Sequence, residues 1–357
     1  MIYHATRRMF GQFSMLRGND CLLAALACMV SLCGCERKSA REVVLYASID
    51  ETYARRAAEA FEKETGIRVK LVNDTEAAKS TGLVMRLMAE KTQPVADVFW
   101  SGDVARALAL DRAGMLEAFT PDGADTLPAA ARLAEGRIIA TAARARVIMI
   151  HRELAPSDKP RPQSVEDLAK PEFAPRSCLA NPLFGTTAVH AAALFNTWGE
   201  TRARKFFEDF ARNGGKMLAS NGEVKRRVGS GEFAFGLTDS DDLHVAWLDG
   251  KPVDGIIPVR PEDGGLLLPS AAVLIKGAPH AAEAKRLASW LSGAQVEKLL
   301  ASSEAAHWPV RSGLEPPLKF RGMAVPAQLN ASSWQELDTI MEGLLSGFLT
   351  TWVDQQR

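Results

Sequence analysis

The sequence predicts an α/β protein made of two doubly wound α/β lobes that are joined by a two-segment hinge. Short apolar runs alternate with helical segments, the connections between them are short, and one apolar stretch, 137–152, is unusually long. Apolar runs bounded by helices are typical of parallel strands that are buried on both faces. Their regular alternation predicts parallel sheets with helices on both sides.

The first lobe opens with three predicted pairs of strand and helix. After an apolar run at 43–47, alanines and Phe61 recur at helical spacing. This helix is expected to end at Gly66, because glycine tolerates the left-handed backbone of a helix C-terminus. The predicted elements of this part are strands 43–47, 67–72 and 96–100 and helices 52–65, 83–91 and 104–113.

The rest of the chain repeats this style. The stretch 137–152 is long enough to leave one lobe and enter the other. The further predicted elements are strands 177–180, 233–238, 256–259 and 266–275 and helices 188–198, 201–213, 279–292 and 334–354. We therefore expect lobe 1 at 41–142 plus 258–357 and lobe 2 at 143–257, with the two crossings acting as a hinge.

Residues 1–35 are predicted to be a lipoprotein signal peptide. The run 21–34 follows basic residues, is almost uncharged and is too short to span a bilayer stably. It ends at Gly34-Cys35, which resembles a lipobox, so Cys35 is expected to carry the lipid. A transmembrane helix is the alternative, but no basic stop-transfer cluster follows. The ordinary and twin-arginine export routes both stay open, as do the inner and the outer membrane.

The charge balance and the cysteines exclude two classes of protein. Because 43 basic residues match 43 acidic ones, no nucleic acid is expected as a partner. Beyond Cys35 the sequence has only Cys178, so no internal disulfide is expected and the core must be stable without one. Cys178 lies within an apolar strand, where a thiol acts as a packing residue.

Six short motifs follow one another along the chain. They are Ala96-Asp97-Val98-Phe99-Trp100-Ser101-Gly102-Asp103, Arg144-Ala145-Arg146-Val147-Ile148, Asn181-Pro182-Leu183-Phe184-Gly185-Thr186-Thr187, Gly236-Leu237-Thr238-Asp239-Ser240-Asp241-Asp242, Leu274-Ile275-Lys276-Gly277-Ala278-Pro279-His280 and Trp308-Pro309-Val310-Arg311. Each motif alone is weak. Together, in this order, they resemble the substrate-binding proteins of iron(III)-type ABC importers, and the resemblance covers nearly the whole chain after the signal.

The resemblance implies the type II periplasmic-binding-protein fold and a monomer that takes a small-molecule solute into a cleft. It also implies delivery to an ABC permease with its ATPase, no cofactor, and a place in the periplasm or cell envelope with a lipid anchor as the only membrane contact. Iron-binding members of the family hold ferric ion with paired tyrosines in the segment that here reads Asp239-Ser240-Asp241-Asp242. After the signal this sequence has only Tyr46 and Tyr53, so the tyrosine pair is absent.

Four small, polar loops at predicted strand ends are expected to line the cleft. They contain Ser48, Ser80-Thr81, Ser101 with Asp103, and Gly185-Thr186-Thr187. Helix N-termini leave N–H groups without partners and carry partial positive charge, so they stabilise an oxyanion. The predicted cradle is Gly185-Thr186-Thr187, faced by Ser80-Thr81. The alternative is that these serines and threonines only cap helices.

Charged residues are expected beside this cradle. Arg144 and Arg146 lie at the predicted hinge, where one of them either clamps an oxyanion or forms half of an inter-lobe salt bridge. Asp239, Asp241 and Asp242 follow a predicted strand and suit an ammonium group, polyol hydroxyls or a metal ion, unless they form a solvated loop. No metal is expected in the first interpretation. In the alternative one, Asp241, Asp242 and His244 hold it.

Donors on one wall and carboxylates on the other suit a zwitterionic or polyhydroxylated oxyanion. The first expectation is an aminoalkylphosphonate or a sugar phosphate, and the alternative is ferric iron held by carboxylate and hydroxide. An enzyme is not expected, because the sequence has no Gly-x-Ser-x-Gly elbow, no Walker motif and no zinc-spaced Cys/His cluster. A purely structural lipoprotein or a chemoreceptor partner is the other rival, and a protein that binds no solute would gain no stability from one.

Overall fold

The computed structural model describes residues 41–74, 82–329 and 331–356. The strands in these ranges are β1 (Glu42–Ala47), β2 (Arg68–Asn73), β3 (Val98–Ser101), β4 (Leu116–Glu117), β5 (Arg132–Leu133), β6 (Ile138–His151), β7 (Ser177–Ala180), β8 (Lys216–Leu218), β9 (Phe235–Asp239), β10 (Val253–Ile256) and β11 (Leu267–Ile275). The helices are α1 (Glu51–Thr65), α2 (Gly82–Ala89), α3 (Val104–Arg112), α4 (Gly185–Trp198), α5 (Glu200–Arg212), α6 (Asn221–Gly229), α7 (Ser240–Leu248), α8 (Ala281–Leu291), α9 (Ala294–Ser302), α10 (Ala331–Leu345) and α11 (Phe348–Asp354). The predicted α/β class is confirmed.

The strands form a continuous sheet in the order β2-β1-β3-β11-β6-β9-β7-β8. In the first half β1 runs parallel to β2 and β3, and in the second half β7 runs parallel to β8 and β9. Parallel neighbours need a crossover, which a helix usually supplies. Val43 to Ala47 of β1 are all buried, as expected for a strand that is covered on both faces.

The strand β6 belongs to both halves of the sheet. Its first part, as far as Ala145, pairs with β11, and from Arg146 onward it pairs with β9 and then β10. Because β6 and β11 are antiparallel to their neighbours, the prediction of a parallel sheet is wrong at these two strands. These two strands connect the halves of the sheet: the chain passes from the first half to the second through β6 and returns to the first half through β11.

The short helices α6, α7 and α9 were not predicted. In α6 two glycines and four charged residues obscure the apolar period, although Ser220 caps the helix by accepting from the backbone N–H of Glu223 at 3.1 Å. The helix α7 begins directly after β9. Asp241 and Asp242 therefore lie in a helical first turn and not in the solvated loop that was one interpretation.

The C-terminal part differs from its prediction in two places. The strand predicted at 256–259 lies earlier, as β10. The single helix predicted at 334–354 is two helices, because Gly347 between them has a non-helical backbone with φ −137° and ψ −106°. A side chain at Gly347 would place its Cβ 3.1 Å from the carbonyl oxygen of Gly343, so the break suits glycine.

The last two helices contact both halves of the sheet. The helix α10 packs against α3 of the first half and α4 of the second. In α11, Trp352 donates from Nε1 to the carbonyl of Phe207 at 2.9 Å, and the two rings lie 5.3 Å apart. The predicted lobe boundaries place 258–357 wholly in lobe 1, whereas the last two helices of this segment contact elements of both halves of the sheet.

Candidate functional site

A cavity of about 1000 Å³ opens where the N-terminal ends of six helices meet. The residues that mark these ends in its lining are Glu51 of α1, Gly82 of α2, Asp103 before α3, Gly185 of α4, Asn221 of α6 and Asp241 of α7. Parallel strands end at the same sheet edge, so the helices that follow them begin there together. The unpaired N–H groups of these first turns make the edge favourable for an anion.

The first turn of α4 consists of Gly185, Thr186 and Thr187, and all three line the cavity. Gly185 has φ +54°, a left-handed backbone that a side chain would strain even though no atom lies within 4 Å of the added Cβ. Phe184 occupies the N-cap position, and no side chain of the described residues caps this helix. Its N–H groups are therefore left for solvent or for a solute.

Arg146 lies behind the cavity wall and is fully buried. Its Nη1 lies 2.5 Å from Oδ1 of Asp239 and 3.2 Å from Oγ1 of Thr186. A guanidinium without access to water requires such partners, because an unpaired buried charge is very costly. This geometry favours a salt bridge over a direct clamp on the solute, but the bridge is not the inter-lobe one of the prediction, because Arg146 and Asp239 both lie within 143–257.

His190 supports Arg146 from the opposite side. Its Nδ1 accepts from Nε of Arg146 at 3.2 Å, so its proton is on Nε2, which donates to the carbonyl of Gly264 at 2.8 Å. Burial, and then the charge of Arg146, lower the pKa of His190 to about 3. The imidazole is neutral at physiological pH, and both of its nitrogens are engaged.

Asp239 connects β9 with α4 and α6 at the cavity. Its Oδ2 accepts from Oγ1 of Thr186 at 2.6 Å and from Nδ2 of Asn221 at 3.1 Å. In turn, Oδ1 of Asn221 accepts from Oγ1 of Thr187 at 3.2 Å. Asn221 was missing from the predicted site. The sequence did contain a signal for Asn221: Ser220 is a favourable helix N-cap residue, and the residue after an N-cap lies in the first turn of the helix.

Arg144 links the two halves of the sheet at the cavity. Its Nη2 donates to the carbonyl of Gly102 at 3.0 Å, and its Nη1 lies 3.1 Å from Oδ2 of Asp241. Burial acts to raise the pKa of Asp241, but the charge of Arg144 and the contact with His307 outweigh it. The pKa of Asp241 therefore falls well below its usual range, and this carboxylate stays ionised.

Asp242 behaves in the opposite way. Its Oδ2 accepts from Oγ1 of Thr238 at 2.6 Å, and Nζ of Lys225 lies 3.5 Å from its Oδ1. Burial, followed by the charge of Asp241, raises the pKa of Asp242 to about 7. Of the two adjacent carboxyl groups, one is thus always charged and the other titrates near neutral pH.

The opposite side of the cavity contains Ser48, Gly102 and Asp103. Oγ of Ser48 accepts from the N–H of Gly102 at 3.0 Å, and Asp103 caps α3 by accepting from the N–H of Arg106 at 3.0 Å. Ser101 does not line the cavity; it is buried, and its hydroxyl donates to the carbonyl of Asp103 at 2.6 Å. The side chains of Ser48, Ser101 and Asp103 thus bond to nearby backbone groups, as in the alternative interpretation in which these residues cap helices and stabilise turns.

Tyr53 and His307 line the cavity but were missing from the predicted site. Burial, and then the charges of Asp50, Glu304 and Asp241, raise the pKa of the Tyr53 phenol well above its usual range. Nε2 of His307 lies 3.8 Å from Oδ2 of Asp241. No local sequence signal could have placed His307 here, because only the return of the C-terminal segment to β6 brings it to the cavity.

His244 does not join Asp241 and Asp242. Its Nδ1 lies 2.9 Å from the carbonyl of Glu304, its ring packs 6.1 Å from that of Phe320, and it is not part of the cavity lining. Within residues 41–74, 82–329 and 331–356, no three His, Cys, Asp or Glu side chains are grouped to hold a metal ion. A metal ion here would therefore need further ligands of its own.

Several predicted features lie outside the described residues. They are the signal peptide at 1–35, the lipidated Cys35, and Ser80-Thr81 of the predicted cradle. Gly82, which follows Thr81, does line the cavity. Among the described helices, none combines the length and the apolar character that a membrane crossing requires.

The family model of bacterial extracellular solute-binding proteins matches residues 43–303. The chain belongs to this family. The major ferric iron-binding protein of Neisseria gonorrhoeae is 27% identical over 305 residues, which cover 80% of this chain and 88% of the relative. The resemblance to iron(III)-type ABC substrate-binding proteins is thus confirmed.

Two solved structures share the fold of this family member. Iron-bound HitA from Pseudomonas aeruginosa has a TM-score of 0.75 and 21% identity, over 85% of this chain and 99% of HitA. AfuA from Actinobacillus pleuropneumoniae, with fructose-6-phosphate bound, has a TM-score of 0.72 and 19% identity, over 86% of this chain and 98% of AfuA. The prediction of the type II periplasmic-binding-protein fold is confirmed.

The family defines the general function. Its members are solute-binding proteins and not enzymes, and this chain is the substrate-binding protein of an ABC importer, which delivers its solute to the permease.

Proposed function

We propose that this chain captures iron(III) in the cavity and delivers it to an ABC permease, with carboxylate oxygens in place of the absent tyrosine pair. The main support for this proposal is the charge of the cavity lining. Among the described residues, the lining contains six acidic side chains and two basic ones, Arg144 and Lys225. The acidic wall consists of Asp50, Glu51, Asp103, Asp239, Asp241 and Asp242. Such an excess of negative charge attracts a cation and repels a free anion.

The chemistry of the wall suits this cargo. Iron(III) is a hard cation that takes carboxylate and hydroxide oxygens as ligands. The raised pKa of Tyr53 disfavours a phenolate, which supports carboxylate over phenolate binding. Because no three described protein ligands stand together, we propose that the ion arrives with hydroxide or a carboxylate anion. The first turn of α4 is a suitable place for that anion.

The relatives support iron over the phosphorylated solutes that were the first expectation. The relative from Neisseria gonorrhoeae is a ferric iron-binding protein, and the HitA structure holds iron.

A phosphorylated solute, either a sugar phosphate or an aminoalkylphosphonate, is the second candidate. It is favoured by the six helix N-termini at the cavity, of which α4 has no capping side chain in the described residues. The AfuA structure, with fructose-6-phosphate bound, has the same fold. Phe184, a cavity residue that is 54% exposed, would then cover the organic part of the solute.

Calorimetric titration of the purified protein separates the two candidates. The titrants are ferric citrate, glucose 6-phosphate and 2-aminoethylphosphonate, with citrate alone as a blank. We expect binding of ferric citrate only, and no visible phenolate-to-iron absorption band in the loaded protein. Tight binding of either phosphorylated compound, together with no response to ferric citrate, would reverse the order of the candidates.

A matched pair of variants tests the acidic wall. Asp242→Asn removes a cavity carboxylate, whereas Asp254→Asn removes a carboxylate from β10 that pairs with Arg161 and does not line the cavity. We expect a weaker ferric affinity in the first variant and an unchanged one in the second. Equal affinities would show that the wall does not bind the ion.

We further propose that lobe 1 (41–142 plus 258–357) and lobe 2 (143–257) close over the cargo in the periplasm, where a lipidated Cys35 holds the monomer at a membrane. The change of partners in β6 after Ala145 supports a hinge at this point. Radioactive palmitate labelling of the wild-type and Cys35→Ser proteins tests the anchor, and labelling of both would exclude Cys35.

A further inference from the structure

The side chain of Arg144 bonds to both sides of the cavity. Its Nη2 donates to the carbonyl of Gly102, in the loop between β3 and α3, at 3.0 Å. Its Nη1 donates to Oδ2 of Asp241, in the first turn of α7, at 3.1 Å. All three residues line the cavity. Both bonds join protein atoms, so they can form without a bound solute.

The place of Arg144 in the chain makes this bridge a contact between the proposed lobes. Gly102 lies in lobe 1 and Asp241 in lobe 2. The backbone of Arg144 still pairs with Leu268 of β11, whereas β6 pairs with β9 only two residues later. Whether the hinge bends just before or just after Arg144, one of its two bonds crosses from one lobe to the other.

We infer that Arg144 is a positioning residue that holds the two sides of the cavity together before the cargo arrives. The inference rests on the proposed function and on the lobe movement that we propose with it. A solute binds only the fraction of molecules whose two sides stand at the right separation, and its apparent affinity falls with that fraction. The bridge increases this fraction, because opening of the lobes would break a hydrogen bond to a charged group.

Both acceptors of the guanidinium are fixed on their own side of the cavity. The N–H of Gly102 donates to Oγ of Ser48 at 3.0 Å, and its carbonyl also accepts from Oγ of Ser270 at 3.4 Å. Oδ1 of Asp241 accepts from the backbone N–H of Asp242 at 3.1 Å. The guanidinium is only 19% exposed, so solvent screens this bridge less than it screens a surface ion pair.

Small-angle X-ray scattering of the purified protein tests the inference. The radius of gyration is measured without and with saturating ferric citrate in the wild type, Arg144→Gln and Arg144→Lys. We expect both variants to be wider than the wild type without ferric citrate and to reach its radius when they are saturated. Lysine keeps the charge but has one nitrogen in place of the two diverging ones of the guanidinium, so the charge alone should not restore the bridge.

Arg137→Gln is the matched control. Its guanidinium also makes two bonds, from Nε to Oδ1 of Asp111 at 2.5 Å and from Nη2 to Oδ2 at 3.2 Å, but both residues lie in lobe 1 and neither lines the cavity. We expect its radius to equal that of the wild type. We also expect the affinity for ferric citrate to fall about 5–150-fold in the two Arg144 variants, the usual range for conformational coupling.

The outcomes separate the inference from the proposed function. Equal radii of the wild type and Arg144→Gln without ferric citrate, or a radius of Arg144→Lys that matches the wild type, would overturn the role of Arg144 and leave the cargo intact. Failure of the wild type to bind ferric citrate would overturn the cargo, while the radii without it would still decide on the bridge. Circular dichroism identifies a variant that does not fold, and the other substitution then gives the answer.

Discussion

Nη1 of Arg144 lies 3.1 Å from Oδ2 of Asp241, while Nη2 of the same guanidinium holds the carbonyl of Gly102. One side chain thus ties the start of α7 to the loop before α3, across the cavity. Its Nε, which has no hydrogen-bond partner in the described chain, lies 3.8 Å from Oδ2 of Asp239, so the guanidinium is close to two carboxylates.

Loss of this link should destabilise the protein. We expect Arg144→Gln to lower the free energy of unfolding by about 1.5–3 kcal/mol, because hydrogen bonds to charged groups contribute this much. Urea denaturation measures the change. Arg152→Gln is the control, since Arg152 is 53% exposed and its pair with Asp254 spans 3.6 Å; such surface pairs contribute about 0–1 kcal/mol. Equal effects in the two variants would argue against the link.

Arg146 should be more sensitive still. We expect Arg146→Met to cost about 3–5 kcal/mol, because it removes the nearest charge partner of the buried carboxylate of Asp239 and leaves only Arg144, at 3.8 Å. The double variant Arg146→Met with Asp239→Asn should regain part of this loss. Arg226→Met, on the exposed face of α6, is the control and should change the free energy of unfolding by less than about 0.5 kcal/mol. A double variant no more stable than Arg146→Met alone would contradict the pairing.

The stability of the protein should depend on pH through Asp242. Its pKa is about 7 in the folded protein, against 3.8 for the free side chain. Between these two values the folded state holds a proton that the unfolded state has lost, so this group's contribution is present below about pH 4 and is lost as the pH rises toward 7. We expect the free energy of unfolding to fall more steeply from pH 4.5 to 7.5 in the wild type than in Asp242→Asn. Parallel pH profiles for the two proteins would rule this out.

We expect glycine to be required at position 185 for its positive φ angle, and not because a side chain would clash with neighbouring atoms. We expect Gly185→Ala to cost about 1–2 kcal/mol, since φ +54° places a side chain in the left-handed region. Gly222→Ala provides the comparison: Gly222 also lines the cavity at a helix start, but it has no positive φ, and its added Cβ would meet only Oγ of Ser220 at 3.8 Å. Thermal melts of both variants measure the difference. Similar losses would indicate that the strain at Gly185 is small.

The sequence predicted the fold well where local periodicity carries the information. The helix that ends at Gly66 and the strand 177–180 were predicted correctly, because capping and apolar runs are local signals. The directions of β6 and β11 were not predicted, since strand direction depends on how distant segments return to the sheet.

The predicted site was less complete than the predicted fold. Gly185, Thr186 and Thr187 line the cavity, and a polar strand-to-helix turn is visible in the sequence. Arg146 was predicted to face the solute, but it is buried behind the cavity wall. The sequence could not show this, because the alternation of side chains along a strand that is buried on both faces does not distinguish the cavity from the core. Lys225 comes from a helix with no clear apolar period, and His307 comes from a loop placed by contacts with β6, so neither has a local signal.

The shared strand β6 has a mechanical consequence for repeated transport. Its ladder passes from β11 to β9 and β10 between Ala145 and Arg146, so a change of angle between the sheet halves can be absorbed as added twist in one continuous strand. In the lobe closure that we propose, the backbone pairing of β6 would then be kept. We therefore expect the closing movement to need no local unfolding of this strand.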